Sequence, residues 1–291
     1  MIRTTTLSLL LLCLLSMGLS ATASAEQDIP RWDIATPAPQ WQLALAVGWG
    51  EKSNPLRDYD DIPVYVLPSI AWYGERFFFD NGTFGYTLSD SLDYSINLIS
   101  AFNDDAGWFN RWDPSNLFIG GLSGGSPAPR VSLSPYSRDP EPQYHLNRRH
   151  LTYMAGGEIV WYTSLGNWRA QLTQDMFAVH QGQQATFAWF NHWQLKGFNL
   201  NLALTLDWKS RKLVDYYYGI RPDEASWGSP LYSGRSSVNP GIELDLSYPL
   251  TNKLELLLLG RYTRFGAGIA DSPLLMEDHS VGVFIGTAYR F

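Results

Sequence analysis

The segment 198–209, FNLNLALTLDWK, alternates between two kinds of side chain along its whole length. Its even-numbered residues are large and apolar, and its odd-numbered residues are small or polar. Successive side chains of a β-strand point to opposite faces, so this period of two predicts a strand with one apolar face. Strands of globular proteins usually have about 5–6 residues, whereas a membrane-crossing strand needs about 9–11. The length of this run therefore favours a strand that crosses a membrane.

The same alternation recurs along the chain, for example in 41–50, 92–98 and 242–247. Aromatic residues collect near the ends of the predicted strands. Two aromatic girdles, one at each lipid–water interface, are typical of outer-membrane barrels. The pattern thus favours a membrane barrel over a soluble β-sandwich. The aromatic residues near strand ends are Trp41, Trp49, Trp72, Tyr73, Trp161, Trp168, Trp193, Trp208, Tyr248, Tyr262 and Tyr289.

Composition excludes several other classes. Only 17% of the 291 residues are charged, while 45% are hydrophobic and 14% aromatic, which does not suit a disordered chain. The net charge of −7 does not suit a nucleic-acid-binding protein, which normally carries a basic patch. A single Cys forms neither an intramolecular disulfide nor a Cys-based zinc cluster. The mean hydropathy of −0.17 argues against a bundle of transmembrane helices.

Residues 1–25 have the layout of a secretory signal peptide. Arg3 precedes an apolar stretch at 7–19, and Ala23-Ser24-Ala25 forms a small-x-small cleavage site. About 13 apolar residues are too few to cross a hydrocarbon core of about 30 Å as a helix. We therefore expect an exported protein with a periplasmic amino-terminal segment at 26–40 and a barrel at 41–291.

The carboxyl-terminal strand carries the most specific signal. Val281, Val283, Ile285, Tyr289 and Phe291 share one face, and the chain ends in Tyr-x-Phe. This ending resembles the assembly signal of bacterial outer-membrane proteins. Tyr289 and Phe291 are therefore the predicted contact with the barrel-assembly machinery.

Counting such segments predicts an all-β fold, a transmembrane antiparallel up-and-down β-barrel of about 12 strands, with 10 or 14 strands as alternatives. Barrels of this class have short periplasmic turns and longer outer loops. With the amino terminus in the periplasm, twelve strands place every long connection on the outer side. The pair 76–80 and 84–89 depends on an Asn81-Gly82 turn, the favoured hairpin signal. The predicted strands are 41–50, 63–73, 76–80, 84–89, 92–102, 151–161, 168–178, 185–195, 198–209, 237–248, 254–265 and 280–291.

Loop 103–150 is the longest irregular segment, and such loops are usually functional or disordered. One interpretation is a constriction or a partner surface. The favoured interpretation is a solvated loop that faces the sugars of the outer leaflet. Its charged residues include Asp104, Asp105, Arg111, Asp113, Arg130, Arg138, Arg148 and Arg149.

The histidines give no recognisable catalytic or metal-binding spacing. Two of the five, His180 and His279, have an acidic residue nearby, Asp175 and Asp278 respectively. Hydrolysis that depends on His150 or His279 is the weakest of the functional hypotheses. We predict no catalytic, cofactor-binding or metal-binding residue, and the protein is expected not to be an enzyme. The remaining histidines are His145 and His192.

Several short motifs, taken in order across 41–291, resemble the MipA/OmpV family. They precede a closing Tyr289-Arg290-Phe291. The motifs are Pro63-x-Tyr65-x-x-Pro68-x-Ile70, Arg76-Phe77-Phe78, Asp207-x-Lys209-Ser210, Tyr217-Tyr218-Gly219, Glu224-Ala225 and Asp271-Ser272-Pro273.

The resemblance implies an outer-membrane barrel in contact with outer-membrane lipid and lipopolysaccharide. It also implies a scaffold that joins a lytic transglycosylase to a murein synthase, although other members are described as adhesins or osmotically regulated proteins. A narrow channel for small solutes is the alternative, because the predicted lumen face is polar. No cofactor and no nucleic-acid partner is expected. The predicted lumen residues are Asn199, Asn201, Asp207, Glu243, Asp245, Glu255 and Arg261.

Overall fold

Twelve antiparallel strands close into one barrel in the computed structural model, which describes residues 40–109, 144–225 and 229–291. The predicted signal peptide at 1–25, nearly all of segment 26–40 and the middle of loop 103–150 lie outside the described residues. The strands are β1 (Gln40–Lys52), β2 (Ile62–Tyr73), β3 (Phe77–Asp80), β4 (Thr83–Asp90), β5 (Tyr94–Phe102), β6 (Tyr153–Thr163), β7 (Gly166–Asp175), β8 (Gln183–Leu195), β9 (Phe198–Lys209), β10 (Ser237–Pro249), β11 (Leu254–Arg264) and β12 (His279–Arg290).

Each strand pairs with its neighbours in sequence, and β12 closes the barrel on β1. The predicted up-and-down topology and the count of twelve are confirmed. The short hairpin β3–β4 also exists, and it turns at Asn81 and Gly82, with φ of 46° and 92°. Two consecutive residues with positive φ are what a type I′ hairpin turn requires, which explains the Asn-Gly pair.

Strand ends differ from the predicted ones by up to three residues. The largest shift is in β7, predicted to end at 178, which ends at Asp175. The Asp175 carboxylate accepts hydrogen bonds from the backbone N–H groups of Phe177, His180 and Gln181. A side chain that binds the backbone just beyond it replaces the strand ladder with a turn, so the strand stops there.

Side-chain exposure follows the period of two. On β9, Leu204 and Leu206 are 46% and 49% exposed. Ala203, which lies between Leu202 and Leu204, is 7% exposed and faces the lumen. Trp41 and Trp49, at the two ends of the apolar stripe on β1, are 65% and 57% exposed. An apolar outer face bounded by tryptophans is the surface that a lipid bilayer covers.

The connections at the two barrel ends differ in length. The turns at one end are short, and we assign this end to the periplasm, as in other outer-membrane barrels. The other end carries most of the long loops, which include a 3₁₀ helix (Asp104–Trp108), α1 (Arg211–Tyr218) and α2 (Ala267–Ala270). None of the helices in the described ranges is long and apolar enough to cross a membrane. The short turns are 74–76, 91–93, 164–165, 196–197 and 250–253.

Candidate functional site

The outer loops pack together into one apolar layer, which we call the cap. Residues from four of these loops, joined by Met154 of β6, form a single buried cluster. This is the arrangement of a soluble hydrophobic core, with apolar groups inside, and it is built on the outer end of the barrel. The buried members are Leu56, Ala106, Trp108, Tyr144, Met154, Leu213, Val214, Tyr217, Tyr218, Ile220, Phe265, Ile269, Leu274 and Leu275.

A buried carboxylate ties the cap to the barrel wall. Asp105 is 0% exposed. Lys209, the last residue of β9, donates to both of its oxygens at 2.7 Å, and the Tyr218 hydroxyl donates at 2.6 Å. Burial, together with the charge of Asp105, raises the pKa of Tyr218 well above its usual value, so the hydroxyl remains a donor. Three elements that are distant in sequence are thereby held at one point.

A second buried ion pair lies within the cap. The Arg149 guanidinium meets Glu224 with Nη1–Oε1 and Nη2–Oε2 distances of 2.5 and 3.1 Å. The backbone N–H groups of Asn147 and Arg221 also donate to this carboxylate. Burial alone raises the pKa of Glu224, but the hydrogen bonds from Arg149 and from these N–H groups outweigh it and lower the pKa. The pair satisfies the bidentate geometry that makes such contacts strong.

The expectation of a solvated loop 103–150 is therefore wrong for Asp105 and Arg149, which are both buried. Each is paired with an opposite charge, Asp105 with Lys209 of the wall and Arg149 with Glu224 of the cap. Arg148 is exposed as expected, and Asp104 lies against the lumen cavity. The residues Arg111, Asp113, Arg130 and Arg138 lie outside the described residues.

Four of the six motifs that carried the family resemblance meet in this cap or at its contact with the wall, and the two motifs at 63–70 and 76–78 lie in the wall and at a short turn. Lys209 and Tyr218 bind Asp105, Glu224 binds Arg149, and the Ser272 hydroxyl donates to the backbone carbonyl of Tyr218 at 2.7 Å. The sequence motifs alone do not reveal this role, because the partners Asp105 and Arg149 come from a different loop. The sequence does contain a signal for this role, because the charged Lys209 ends a strand whose alternation is otherwise regular.

His180 is held in place by contacts with Gly182 and Thr152. The Gly182 N–H donates to Nδ1 at 2.8 Å, so the proton is assigned to Nε2, which contacts the Thr152 hydroxyl at 3.2 Å. Asp175 lies 3.8 Å from Nδ1 and receives no hydrogen bond from it. Burial lowers the pKa of His180, although Asp175 and Asp105 act in the opposite direction. A base oriented by an acid needs the other tautomer.

The other histidines lie apart from one another. His145 and His150 are exposed on the cap, and His192 contacts Asn201 at the periplasmic end of the lumen. His279 contacts the exposed Asp278 at 3.0 Å, and this hydrogen bond lowers the pKa of Asp278. Within the described ranges, no group of three or more His, Cys, Asp or Glu residues is placed to hold a metal ion.

The lumen holds both polar and apolar side chains. A cavity of about 290 Å³ remains under the cap, between Trp108 and Phe265 above and charged strand residues at the sides. Those charges are paired across strands, as in Glu243–Arg261 at 2.6 Å. On neighbouring strands of the wall an apolar cluster, which includes Phe284, packs on the inner side of β1, β2, β11 and β12. A narrow lumen obstructed by side chains is what twelve strands predict, because about eight fill completely and 16–18 leave an open channel.

Sequence comparison agrees with this architecture. The model of the family described as MltA-interacting protein MipA matches residues 43–291. The chain belongs to this family. The MltA-interacting protein of Escherichia coli is 26% identical over 251 residues, which is 86% of this chain and 90% of that protein. The putative outer membrane protein YiaT of the same organism is 24% identical over 253 residues, covering 86% and 91%.

Among solved structures, a loop-deletion mutant of OmpT, an outer membrane protein of Vibrio cholerae, aligns with 87% of this chain and 100% of its own, at 6% identity and a TM-score of 0.37. The closed barrel of twelve strands and the family membership together establish an outer-membrane β-barrel protein of the MipA/OmpV type.

Proposed function

We propose that this MipA-family barrel is a non-enzymatic scaffold that holds murein-remodelling enzymes, a lytic transglycosylase and a murein synthase, at the periplasmic face of the outer membrane. The observation that carries the proposal is the relationship over 86% of the chain to a protein named for its interaction with MltA. The packed cap over the outer end of the barrel is consistent with a barrel that serves as an anchor.

The short periplasmic turns supply candidate contact points. Three of them present a leucine: Leu92 is 67% exposed, Leu165 is 80% exposed and Leu250 is 47% exposed. The free energy falls when a partner covers an exposed apolar side chain. Leucines at turn tips are therefore suitable anchors for a protein contact. Segment 26–40 precedes β1 in the sequence and is a second contact region in the proposal.

A pull-down with the detergent-solubilised protein tests this. We expect retention of a lytic transglycosylase and of a murein synthase, and a large loss of both when Leu92, Leu165 and Leu250 are all changed to Asp or when 26–40 is deleted. The matched control is Leu231→Asp, a 56% exposed leucine in an outer loop. Failure to retain either enzyme, with no change in the cell wall after the deletion, contradicts the scaffold role.

Planar-bilayer recordings separate the scaffold from the channel alternative. The cap packs over the outer end of the barrel, so on this proposal we expect no conductance steps above the baseline. Regular conductance steps from the purified protein would favour a solute channel and would contradict a purely mechanical role for the barrel.

A further inference from the structure

The loop 176–182, between β7 and β8, presents an apolar tip to the outside of the barrel. Met176 is 59% exposed, Phe177 68% and Val179 37%, and Ala178 between them is exposed as well. Other outer loops in the described ranges show isolated exposed apolar residues, such as Leu231 and Met276. Four consecutive exposed apolar residues without a charge are unusual on a surface that only contacts water.

This tip is held rigidly. The Asp175 carboxylate accepts from the N–H groups of Phe177, His180 and Gln181 at 3.1, 2.7 and 2.9 Å. Ala178 and Gln181 adopt positive φ values of 58° and 54°, a conformation that non-glycine residues rarely take and that surrounding contacts must maintain. The loop is therefore preorganised, so that little conformational entropy is lost when the tip contacts a partner.

The tip continues the lipid-facing surface of the wall. Trp208 of β9, an outward-facing residue near the outer end of its strand, pairs with Ala185, which in turn pairs with Leu172 of β7. Leu172 is 57% exposed on the lipid face, and Met176 lies four residues beyond it with the same parity. The loop is also short, so its tip stays near the interface instead of turning over the barrel mouth.

Two cations lie beside the tip at the start of α1. Arg211 and Lys212 are both exposed, and the Lys212 ammonium donates to the Gln181 side chain at 3.2 Å. The start of the helix is fixed to the loop end because Ser210 and Gln183 exchange hydrogen bonds at 2.9 and 2.8 Å.

Some other exposed cations of the outer loops have acidic partners, unlike these two. The exposed Arg235 and Arg264 pair with Asp271 and Asp278. In the described part of the chain, Arg211 and Lys212 form no ion pair, and the nearest acid on the helix, Asp215, accepts from the Gly234 N–H instead. An apolar tip next to cations without acidic partners is the arrangement that binds anionic lipids at an interface.

We propose that loop 176–182 and the start of α1 form a binding site for lipopolysaccharide, the phosphorylated glycolipid of the outer leaflet. The apolar tip inserts among the acyl chains, and Arg211 and Lys212 bind a phosphate at the level of the head groups. The site is independent of the proposed periplasmic docking, and it fixes the height of the cap above the bilayer.

The experiment uses the absence of Cys after Cys13. Phe177→Cys carries an NBD fluorophore, and Leu231→Cys with the same label is the matched control on another outer loop. Both proteins are placed in phosphatidylcholine vesicles with and without lipopolysaccharide that lacks O antigen. We expect a blue-shifted emission at 177 and quenching by nitroxides on the acyl chains, with neither effect at 231. Identical behaviour of the two labels would overturn the insertion of the tip.

The charges are tested in the same vesicles. The double variant Arg211→Gln and Lys212→Gln is expected to weaken lipopolysaccharide binding several-fold and to reverse any further blue shift that lipopolysaccharide causes. The control double variant Arg235→Gln and Arg264→Gln removes two cations that already have acidic partners and is expected to change neither. All variants should still fold into the barrel, as shown by a change in their gel migration on heating. Equal binding by the two double variants would overturn phosphate recognition.

Discussion

The barrel wall and the cap use the same residue types in opposite ways. In the wall, leucine and tryptophan side chains point outward, as at Leu204 and Trp49, and polar groups face the lumen. In the cap, Tyr217, Leu213 and Ile269 are 0% exposed, and charged groups such as Glu224 are buried with their partners. The difference shows that one chain is folded against two solvents, lipid around its strands and water around its outer loops.

The largest effect is expected from the last residue of the wall. The Phe291 N–H donates to the Leu43 carbonyl at 3.0 Å, across the seam where β12 meets β1. If Tyr289 and Phe291 are the assembly signal, Phe291→Ala should remove most of the assembled barrel, and the cap with it. The measurement is the amount of folded barrel in isolated outer membranes, which is recognised by its change in gel migration on heating. Phe77→Ala, a lipid-facing phenylalanine on β3, is the control, and an equal loss from both variants would contradict a special role for the terminus.

The next largest effect should separate the cap from the wall. Glu224→Ala leaves the Arg149 guanidinium buried without its partner, which typically costs about 3–5 kcal/mol. We expect hydrogen exchange in the cap to accelerate strongly while exchange in β9 and β10 stays unchanged.

The control for this variant is Asp271→Ala, which removes an ion pair whose side chains are 63% and 53% exposed and which should contribute only about 0–1 kcal/mol. Equal acceleration by both substitutions would mean that the cap does not behave as a water-soluble core.

A charge introduced on the outer face of the wall tests whether lipid covers that face. Leu204 lies in the middle of β9, opposite Ile242 and Trp189, and Leu204→Arg should destabilise the barrel by about 2–4 kcal/mol if lipid covers this face. Asn201→Arg, on the lumen side of the same strand, should cost much less. Urea titration of the folded fraction in lipid vesicles compares them, and a larger cost at Asn201 would reverse our assignment of the two faces.

The smallest effect is a pH dependence that belongs to the cap alone. Burial lowers the pKa of His180, so the neutral form is the one that the folded cap accepts. As the pH falls below about 6.5, the usual histidine value, the unfolded loop takes up a proton that the folded loop does not, and the stability of the cap decreases. Hydrogen exchange of the outer loops should therefore accelerate on acidification, and His180→Gln should remove most of this dependence. His150→Gln, at an exposed site, should leave it in place.

Much of the fold could be predicted because the alternation of apolar and polar residues within each strand shows which of its faces contacts lipid. The twelve strands, the Asn81-Gly82 turn and the lipid-facing side of β12 all follow from the period of two and from turn chemistry. Strand ends are less accurate where a side chain intervenes, as Asp175 does at the end of β7.

The cap could not be predicted in the same way. Asp105 and Arg149 read as ordinary charged loop residues, since nothing near them in sequence shows that Lys209 and Glu224 will neutralise them. The apolar tip of loop 176–182 is equally hidden, because the sequence pattern places Met176 and Phe177 in a longer strand, and the cations beside them come from the next outer loop.

The sequence by itself determined the wall and its lipid-facing side, because each strand alternates independently of its neighbours and lipid imposes one rule on all of them. It favoured twelve strands but left 10 or 14 open, and the structure decided the count. Only the tertiary structure decided which loop residues are buried, since burial in the cap depends on contacts among four loops that are far apart in the chain. The same physical reason places the buried ion pairs and the proposed lipid site beyond the reach of local sequence patterns.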